Sequence, residues 1–222
     1  MRIRITTGAA IALALAIGVG VAAATAVIFS SNFSSRTEFK AFQKLGGGKT
    51  CRKFWLDKKS FGIEVKEGPL QCDFRTPVSG DSKEPDHEIE AAASVSKSTA
   101  KGVQKSAYVG VGLRADQSSR YELRVFPDTR EWELRRKPDR QGFPIDGTSG
   151  SIGRIGKSNK LKLRVFGDKI TAFVNGTKVV PELTDPNPSE LNGRRTMILA
   201  GHGHNSGKSA EASFSNVRIR IP

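Results

Sequence analysis

The sequence predicts an all-β fold, two antiparallel sheets packed face to face, preceded by an apolar N-terminal segment. Three observations predict it. Leu161, Leu163 and Val165 alternate with Lys160, Lys162 and Arg164, and Ile170, Ala172 and Val174 form a second alternating set; period two marks a strand with one apolar face. Asn175-Gly176 then precedes Thr177, Val179 and Val180, and Asn-Gly suits a two-residue hairpin because both central residues take positive φ. Three such strands in about twenty residues cannot bury their apolar face alone, so a second sheet must cover it.

The 222 residues accommodate one such domain and a leader. Hydrophobic content is 37%, part of it in the leader, which leaves a domain polar enough for strands with one wet face each. The formal net charge is +14, with Arg2 and Arg4 of the leader contributing to it. Such an excess favours polyanions, although the basic residues are spread along the chain and alternate with Glu, which also serves solubility. No nucleic-acid-binding motif is present, nor a P-loop, a dinucleotide fingerprint or a Ser-His-Asp arrangement.

Residues 1–29 begin with Arg2 and Arg4 and continue as an apolar run from Gly8 to Phe29. Ala24-Thr25-Ala26 has the small-residue pattern of a signal-peptidase site, and the run is also long enough to span a bilayer. Residues 1–26 are therefore expected to be a signal peptide or signal anchor, and residues 27–222 a single domain outside the cytoplasm, secreted or held at the outer face of the membrane with the two Arg inside. Membrane contact is expected only through this segment.

In the domain, Phe29, Phe33, Phe39 and Phe42 supply the first core side chains. Strands are expected near Cys51–Leu56, Ser60–Lys66 and Leu70–Arg75, the last two as a hairpin turning at Glu67-Gly68. Cys51 and Cys72 are the only cysteines; an even count behind an export signal predicts one disulfide, and their spacing fits neither a CxxC redox pair nor a zinc pattern. Four consecutive strands follow as a meander: Glu88–Val95, Tyr108–Arg114, Tyr121–Val125 and Glu131–Arg135. Lys137–Asn159 reads as loop, as do Pro181–Asn192 and Gly201–Asn205. Thr196–Ala200 is a short strand. The closing strand runs from Ala210 to Ile221 with a change of phase at Ser215-Asn216 that looks like a β-bulge.

"NKLKLRVFGDKITAFVNGTKV" resembles the hallmark hairpin of the concanavalin A-like lectin/glucanase jelly rolls, which include laminin-G-like modules and bacterial 3-keto-disaccharide hydrolase-like domains. "FSSNF" is similar to their first strand, "HEIEAAASV", "AYVGVGLR" and "YELRVF" to their central meander, and "ASFSNVRIRIP" to their last strand, which pairs beside the first. The resemblance covers residues 28–222 and implies a two-sheet antiparallel jelly roll. For function it implies several classes, since lectins, glycanases and adhesion modules share this fold.

Glycanases of this group carry E-x-D-x-E on one strand, and Glu84, Asp86 and Glu88 match those letters. Pro85, however, cannot donate to a central ladder, so the acids are expected on a solvated sheet face, with no catalytic residue assigned. His202 and His204 fall at i and i+2 in a Gly-rich stretch, expected to be a surface loop. No metal ligands and no cofactor are assigned, with a structural calcium ion left open. Parity places Glu88, Glu90, Tyr108, Gly110, Gly112, Arg114, Glu122, Arg124, Glu133 and Arg135 on the wet side of the meander, with Gly110 and Gly112 leaving a shallow depression. Resembling domains often bind sugars on such a face, and the expected contacts are Tyr108, Arg114 and Arg124, with Glu90 as supporting acceptor; a lattice of cross-strand ion pairs would give the same pattern. The sequence reading is thus a non-catalytic, extracytoplasmic module that binds carbohydrate. A glycoside-processing hydrolase and a structural envelope protein on anionic wall polymer are the alternatives.

Overall fold

A computed structural model of the chain describes residues 26–66, 70–78, 86–116, 118–140, 142–191, 193–203 and 207–221. Residues 1–25 of the leader, Glu67-Gly68, Glu84 and His204 lie outside them. In chain order the elements are β1 (Ala26–Ser31), α1 (Arg36–Ala41), β2 (Gln43–Lys44), β3 (Cys51–Leu56), β4 (Ser60–Val65), β5 (Leu70–Arg75), β6 (His87–Val95) and β7 (Ala107–Ala115). There follow β8 (Arg120–Phe126), β9 (Glu131–Lys137), β10 (Ile145–Thr148), β11 (Asn159–Phe166), β12 (Lys169–Val174), β13 (Thr177–Thr184), β14 (Arg195–His202) and β15 (Ala210–Ile221).

They form two antiparallel sheets. The larger has the order β13-β12-β11-β6-β15-β4-β3 with β1 also paired to β15, and the smaller β10-β9-β8-β7-β14-β5-β2. The apolar alternates of both sheets meet between them, as Leu161, Leu163, Ile89 and Phe214 from one side and Val109, Val111, Leu123 and Leu134 from the other, all at 0% exposure. The β12–β13 hairpin turns at Asn175 and Gly176, with φ of 51° and 83°, as its Asn-Gly pair requires. The first strand pairs with the last. The register of β15 against β6 slips between Ser215 and Arg218, with Asn216 at φ 50°, at the predicted change of phase.

Several expectations are corrected. β4 and β5 do not form a hairpin: β4 pairs with β3 and β15, whereas β5 belongs to the smaller sheet beside β14 and β2. β6 is likewise not part of the meander; it lies between β11 and β15 in the larger sheet, and the meander of the smaller sheet runs from β7 to β10. In both cases the chain arches from one sheet to the other, and a turn-rich connection serves an arch as well as a hairpin. β13 runs through Pro181, which an edge strand tolerates because one side of its backbone is unpaired. Ile145–Thr148 adds the edge strand β10. A short helix, α1, is capped by the Ser35 hydroxyl, which accepts from the Glu38 N–H at 3.1 Å.

Between the sheets near β3 and β5, aromatic rings pack together. Phe33 and Phe42 lie 5.0 Å apart between centroids, Phe42 and Phe61 5.2 Å, and Phe61 and Phe74 5.1 Å. The Cys51–Cys72 disulfide, with Cα atoms 5.6 Å apart, ties β3 of the larger sheet to β5 of the smaller. Gly47 packs on it at φ 95°, where a Cβ would overlap the Cys51 sulfur. Disulfides persist in oxidising compartments, which agrees with a domain outside the cytoplasm. Among the described residues no helix is long and apolar enough to cross a membrane.

Candidate functional site

The outer face of the smaller sheet carries the densest polar constellation. Alternation sends Gln71, Asp73 and Arg75 of β5 outward while Cys72 and Phe74 turn in. Register then aligns Asp73 with Leu199, Leu199 with Gly110, Gly110 with Arg124, and Arg124 with Glu133. Glycine at positions 110 and 112 leaves the middle of the face low. Leu199 and Met197 of β14 fill that space: a Cβ at Gly110 would lie 2.7 Å from Leu199 Cδ1, and one at Gly112 2.7 Å from Met197 Cε. The expected depression is therefore occupied. Tyr108, Leu199 and Met197 form a small outer apolar cluster, with Leu45 and Phe126 packed against it.

Gln71 reaches across this filled strip. Its Nε2 donates to Asp73 Oδ1 at 2.6 Å and to Glu122 Oε1 at 2.8 Å. Its Oε1 accepts from the Tyr108 hydroxyl at 3.0 Å and from Arg124 Nη2 at 2.5 Å. Arg124 also donates to Glu122 Oε2 through Nη2 and Nε, at 2.6 and 2.9 Å. Its guanidinium carbon stands 4.8 Å from the centre of the Tyr108 ring. On the other side Arg120 pairs with Glu122 and, at 3.1 Å, with Asp73. Glu133, Arg135 and Lys137 form the partly exposed rim on β9.

These surroundings set the charge states. Burial alone would raise the Glu122 carboxyl, but the Arg124 and Arg120 guanidiniums and the Lys137 ammonium outweigh it and hold it at about 2. Asp73 moves the other way, because burial outweighs the attraction of Arg120 and the nearby Glu122 charge adds to it. Burial likewise raises the Tyr108 phenol, so Tyr108 stays a neutral hydroxyl near pH 7.

The expected ligand contacts are only partly brought together. Tyr108 and Arg124 are neighbours here, although Tyr108 is 6% exposed, and its ring is covered by Arg124 and by Phe126 at 5.3 Å. Arg114 has left the face. It sits at φ 49° where β7 slips in register against β14, and it donates from Nη2 to Asp86 Oδ1 at 2.8 Å and to the Gly167 carbonyl at 2.6 Å. It thus clips the two sheets together at one end. Glu90 is on the opposite side of the molecule, on the outer face of the larger sheet, where Lys160 approaches it at 3.1 Å. The separation follows from β6 belonging to that sheet.

The E-x-D-x-E letters dissolve in the same way. Asp86 serves the Arg114 clip, and Glu88 is buried on the larger sheet between Arg164 and Arg220, not solvated as expected. Burial by itself would raise Glu88, yet the Arg164 hydrogen bond and the charges of Lys162 and Arg164 bring it below its usual range. His202 lies in β14 and is buried, not in a surface loop. Among the described residues no group of three or more His, Cys, Asp or Glu side chains converges as for a metal ion. Gln71, Asp73 and Arg120 were missed as site residues. The outward parity of Gln71 and Asp73 was readable, but not that β14 would bring β5 onto this face.

No family model and no curated protein matches the sequence; the fold, however, is similar to that of solved structures. A carbohydrate-binding module from Bacillus subtilis is similar at a TM-score of 0.56 with 13% identity, over 80% of this chain and 93% of that one. A Bacillus subtilis protein with a galectin-like fold gives 0.62 and 12%, over 88% and 97%. The laminarinase catalytic domain from Thermotoga maritima gives 0.59 and 11%, over 89% and 98%. The chain has the concanavalin A-like lectin/glucanase jelly-roll fold, which carbohydrate-binding modules and glycoside hydrolases share.

Proposed function

We propose that this chain is a non-catalytic carbohydrate-binding module acting outside the cytoplasm, with its ligand on the outer face of the smaller sheet. The observation that carries this reading is the Gln71–Tyr108–Glu122–Arg124 network. Its planar amide, guanidinium and carboxylate groups hold one another in fixed geometry, and Glu133, Arg135 and Lys137 form its partly exposed rim. Such pre-bonded groups lose little side-chain entropy when they meet hydroxyls. Arg135 is the most loosely held arm of this set: its Nε makes no hydrogen bond, and it meets Glu133 and Asp139 only at ion-pair distances of 3.8 and 3.9 Å. The central carboxylate, Glu122, is fixed as an anion, so it has no proton to give to a glycosidic oxygen.

A glycan and wall-polymer binding screen on residues 27–222 at two salt concentrations tests this. Binding that fades with salt would identify an anionic polymer, and binding that persists a neutral glycan. For any glycan found, Arg135→Ala is expected to weaken affinity about tenfold, the loss of one hydrogen bond to a charged group. Arg124→Ala is expected to weaken it further. Unchanged affinity in both variants, with the fold intact by circular dichroism, would remove this face from consideration.

One observation favours the glycoside-processing alternative. Asp73 and Glu122 share Gln71 Nε2 and Arg120, and their environments push their protonation in opposite directions, as acid and base partners require. Glycan hydrolysis abolished by both Asp73→Asn and Glu122→Gln would replace the binding reading with this one. Export of the domain follows the leader reading: N-terminal sequencing of the secreted protein is expected to begin at Val27, and a chain that still begins at Met1 in the membrane fraction would indicate an anchor.

A further inference from the structure

The outer face of the larger sheet holds a cleft with a different chemistry. One row crosses four strands there: Phe54 of β3 aligns with Gly62 of β4, Gly62 with Ser213 of β15, and Ser213 with Ser94 of β6. Because position 62 is glycine, the Phe54 ring lies against the β4 backbone, and a Cβ there would overlap the ring. Beside it the Ser94 and Ser213 hydroxyls bond to each other at 2.8 Å. The cleft over this row measures about 360 Å³ and is walled by Phe54 and Leu56 on one side and by Lys97 and Glu211 on the other.

We propose that this cleft is a second saccharide site, which receives one pyranose unit of a neutral glycan. It does not rest on the site assigned to the smaller sheet and shares no residue with it. An aromatic face carries negative charge density and attracts the C–H side of a sugar ring. Paired hydroxyls on the floor can donate and accept in turn, as sugar hydroxyls do. The rim contributes one cation and one anion, Lys97 and Glu211, so the cleft itself favours no net charge in its ligand. The volume falls in the range of small-molecule sites. Leu56 is among the few large apolar side chains left exposed, at 39%, and it extends the apolar wall beyond the ring. Arg52, paired with Glu64 at 2.6 Å and 61% exposed, stands over the Phe54 ring with its guanidinium carbon 5.8 Å from the centre, so a sugar ring meets Phe54 by displacing this exposed arm.

The test is a titration of 15N-labelled residues 27–222 with cellopentaose, laminaripentaose, chitopentaose, xylopentaose and mannopentaose, followed by amide shifts. At least one is expected to move the Ser94, Lys97 and Ser213 resonances. Phe54→Ala is expected to weaken that binding at least tenfold and Ser213→Ala several-fold. Phe54 is half-buried on an edge strand, whereas Ser213→Ala removes only the hydroxyl, so the second variant decides if the first fails to fold. The proposal is overturned if none of the five moves these amides. It is equally overturned if affinity survives both substitutions, or if shifts occur only on the Gln71–Arg135 face, which would leave the other site standing.

Discussion

Asp185→Ala is expected to cost about 3–5 kcal/mol, the usual penalty for leaving one member of a buried ion pair behind. Asp185 comes from the segment after β13, and its carboxylate closes one end of the sandwich. It accepts from the Tyr121 hydroxyl and from Arg136 Nε at 2.8 Å, and from the Asn187 N–H at 2.8 Å. Arg136 and Tyr121 both have 0% exposure. Arg136 also holds the carbonyls of Pro138 and Asn187 and the Glu190 carboxylate, so one guanidinium gathers the whole closing segment. Without Asp185 the Arg136 Nε and the Tyr121 hydroxyl both stay in the core without their acceptor, and the only carboxylate left to Arg136 is the partly exposed Glu190. Thermal unfolding would report a fall of roughly 10 °C for a domain of this size. The pH dependence carries the same sign. Burial alone would raise the Asp185 carboxyl, but the Tyr121 and Arg136 hydrogen bonds and the Asn187 N–H lower it overall. A carboxyl depressed in the folded state gives stability that is complete above the unfolded pKa and is lost as pH falls through the folded one. Urea unfolding from neutral pH downward should therefore show a shallower acid limb in Asp185→Asn than in the parent. A loss below about 1 kcal/mol for Asp185→Ala, within the range of ordinary substitutions, would show that this end holds without the pair.

Opening the disulfide has the second-largest expected effect. Cys51 and Cys72 are 21 residues apart in sequence but belong to opposite sheets. Closing a loop of about that length removes close to 3 kcal/mol of chain entropy from the unfolded state. Cys51→Ala with Cys72→Ala should therefore lower the unfolding midpoint by about 6–12 °C. Reductant should destabilise the parent and leave the double variant unchanged. Intact mass with alkylation, with and without reductant, counts the thiols directly; two free thiols in protein taken from its native compartment would contradict the bond. The effect should fall on the aromatic end of the core. Phe61, Phe74 and the β3–β5 contact there depend on the two sheets staying in register, and the rings are already close-packed.

The site was legible in part, and the limits are physical. Parity correctly sent Tyr108, Glu122, Arg124, Glu133 and Arg135 to one face, because the side-chain direction of a strand is a local property with a fixed period. Glu90 was read onto the same face because β6 precedes β7 in sequence and both have the same alternation. Neighbours in sequence need not be neighbours in a sandwich, where the chain repeatedly passes from one sheet to the other. Arg114 obeyed parity until the slip beside it, and a bulge leaves little trace in a sequence that continues to alternate on both sides. Gly110 and Gly112 announced a gap, but its occupants, Leu199 and Met197, come from a strand more than eighty residues later.

The sequence by itself determined the all-β class, the apolar face of nearly every strand, the Asn-Gly hairpin, the bulge in the last strand and the pairing of the two cysteines. Each of these is written in short-range period, in turn residues that accept positive φ, or in a count that allows one pairing. The tertiary structure alone decided which strands lie side by side. It set β14 between β7 and β5 and so carried Gln71 to Glu122, fifty-one residues away. It also placed Glu88 and Glu90 on the far side of the molecule. The physical reason is that strand pairing is chosen by which apolar faces can be buried together over the whole chain, and a hairpin and a sheet-to-sheet arch ask for the same residues at the turn.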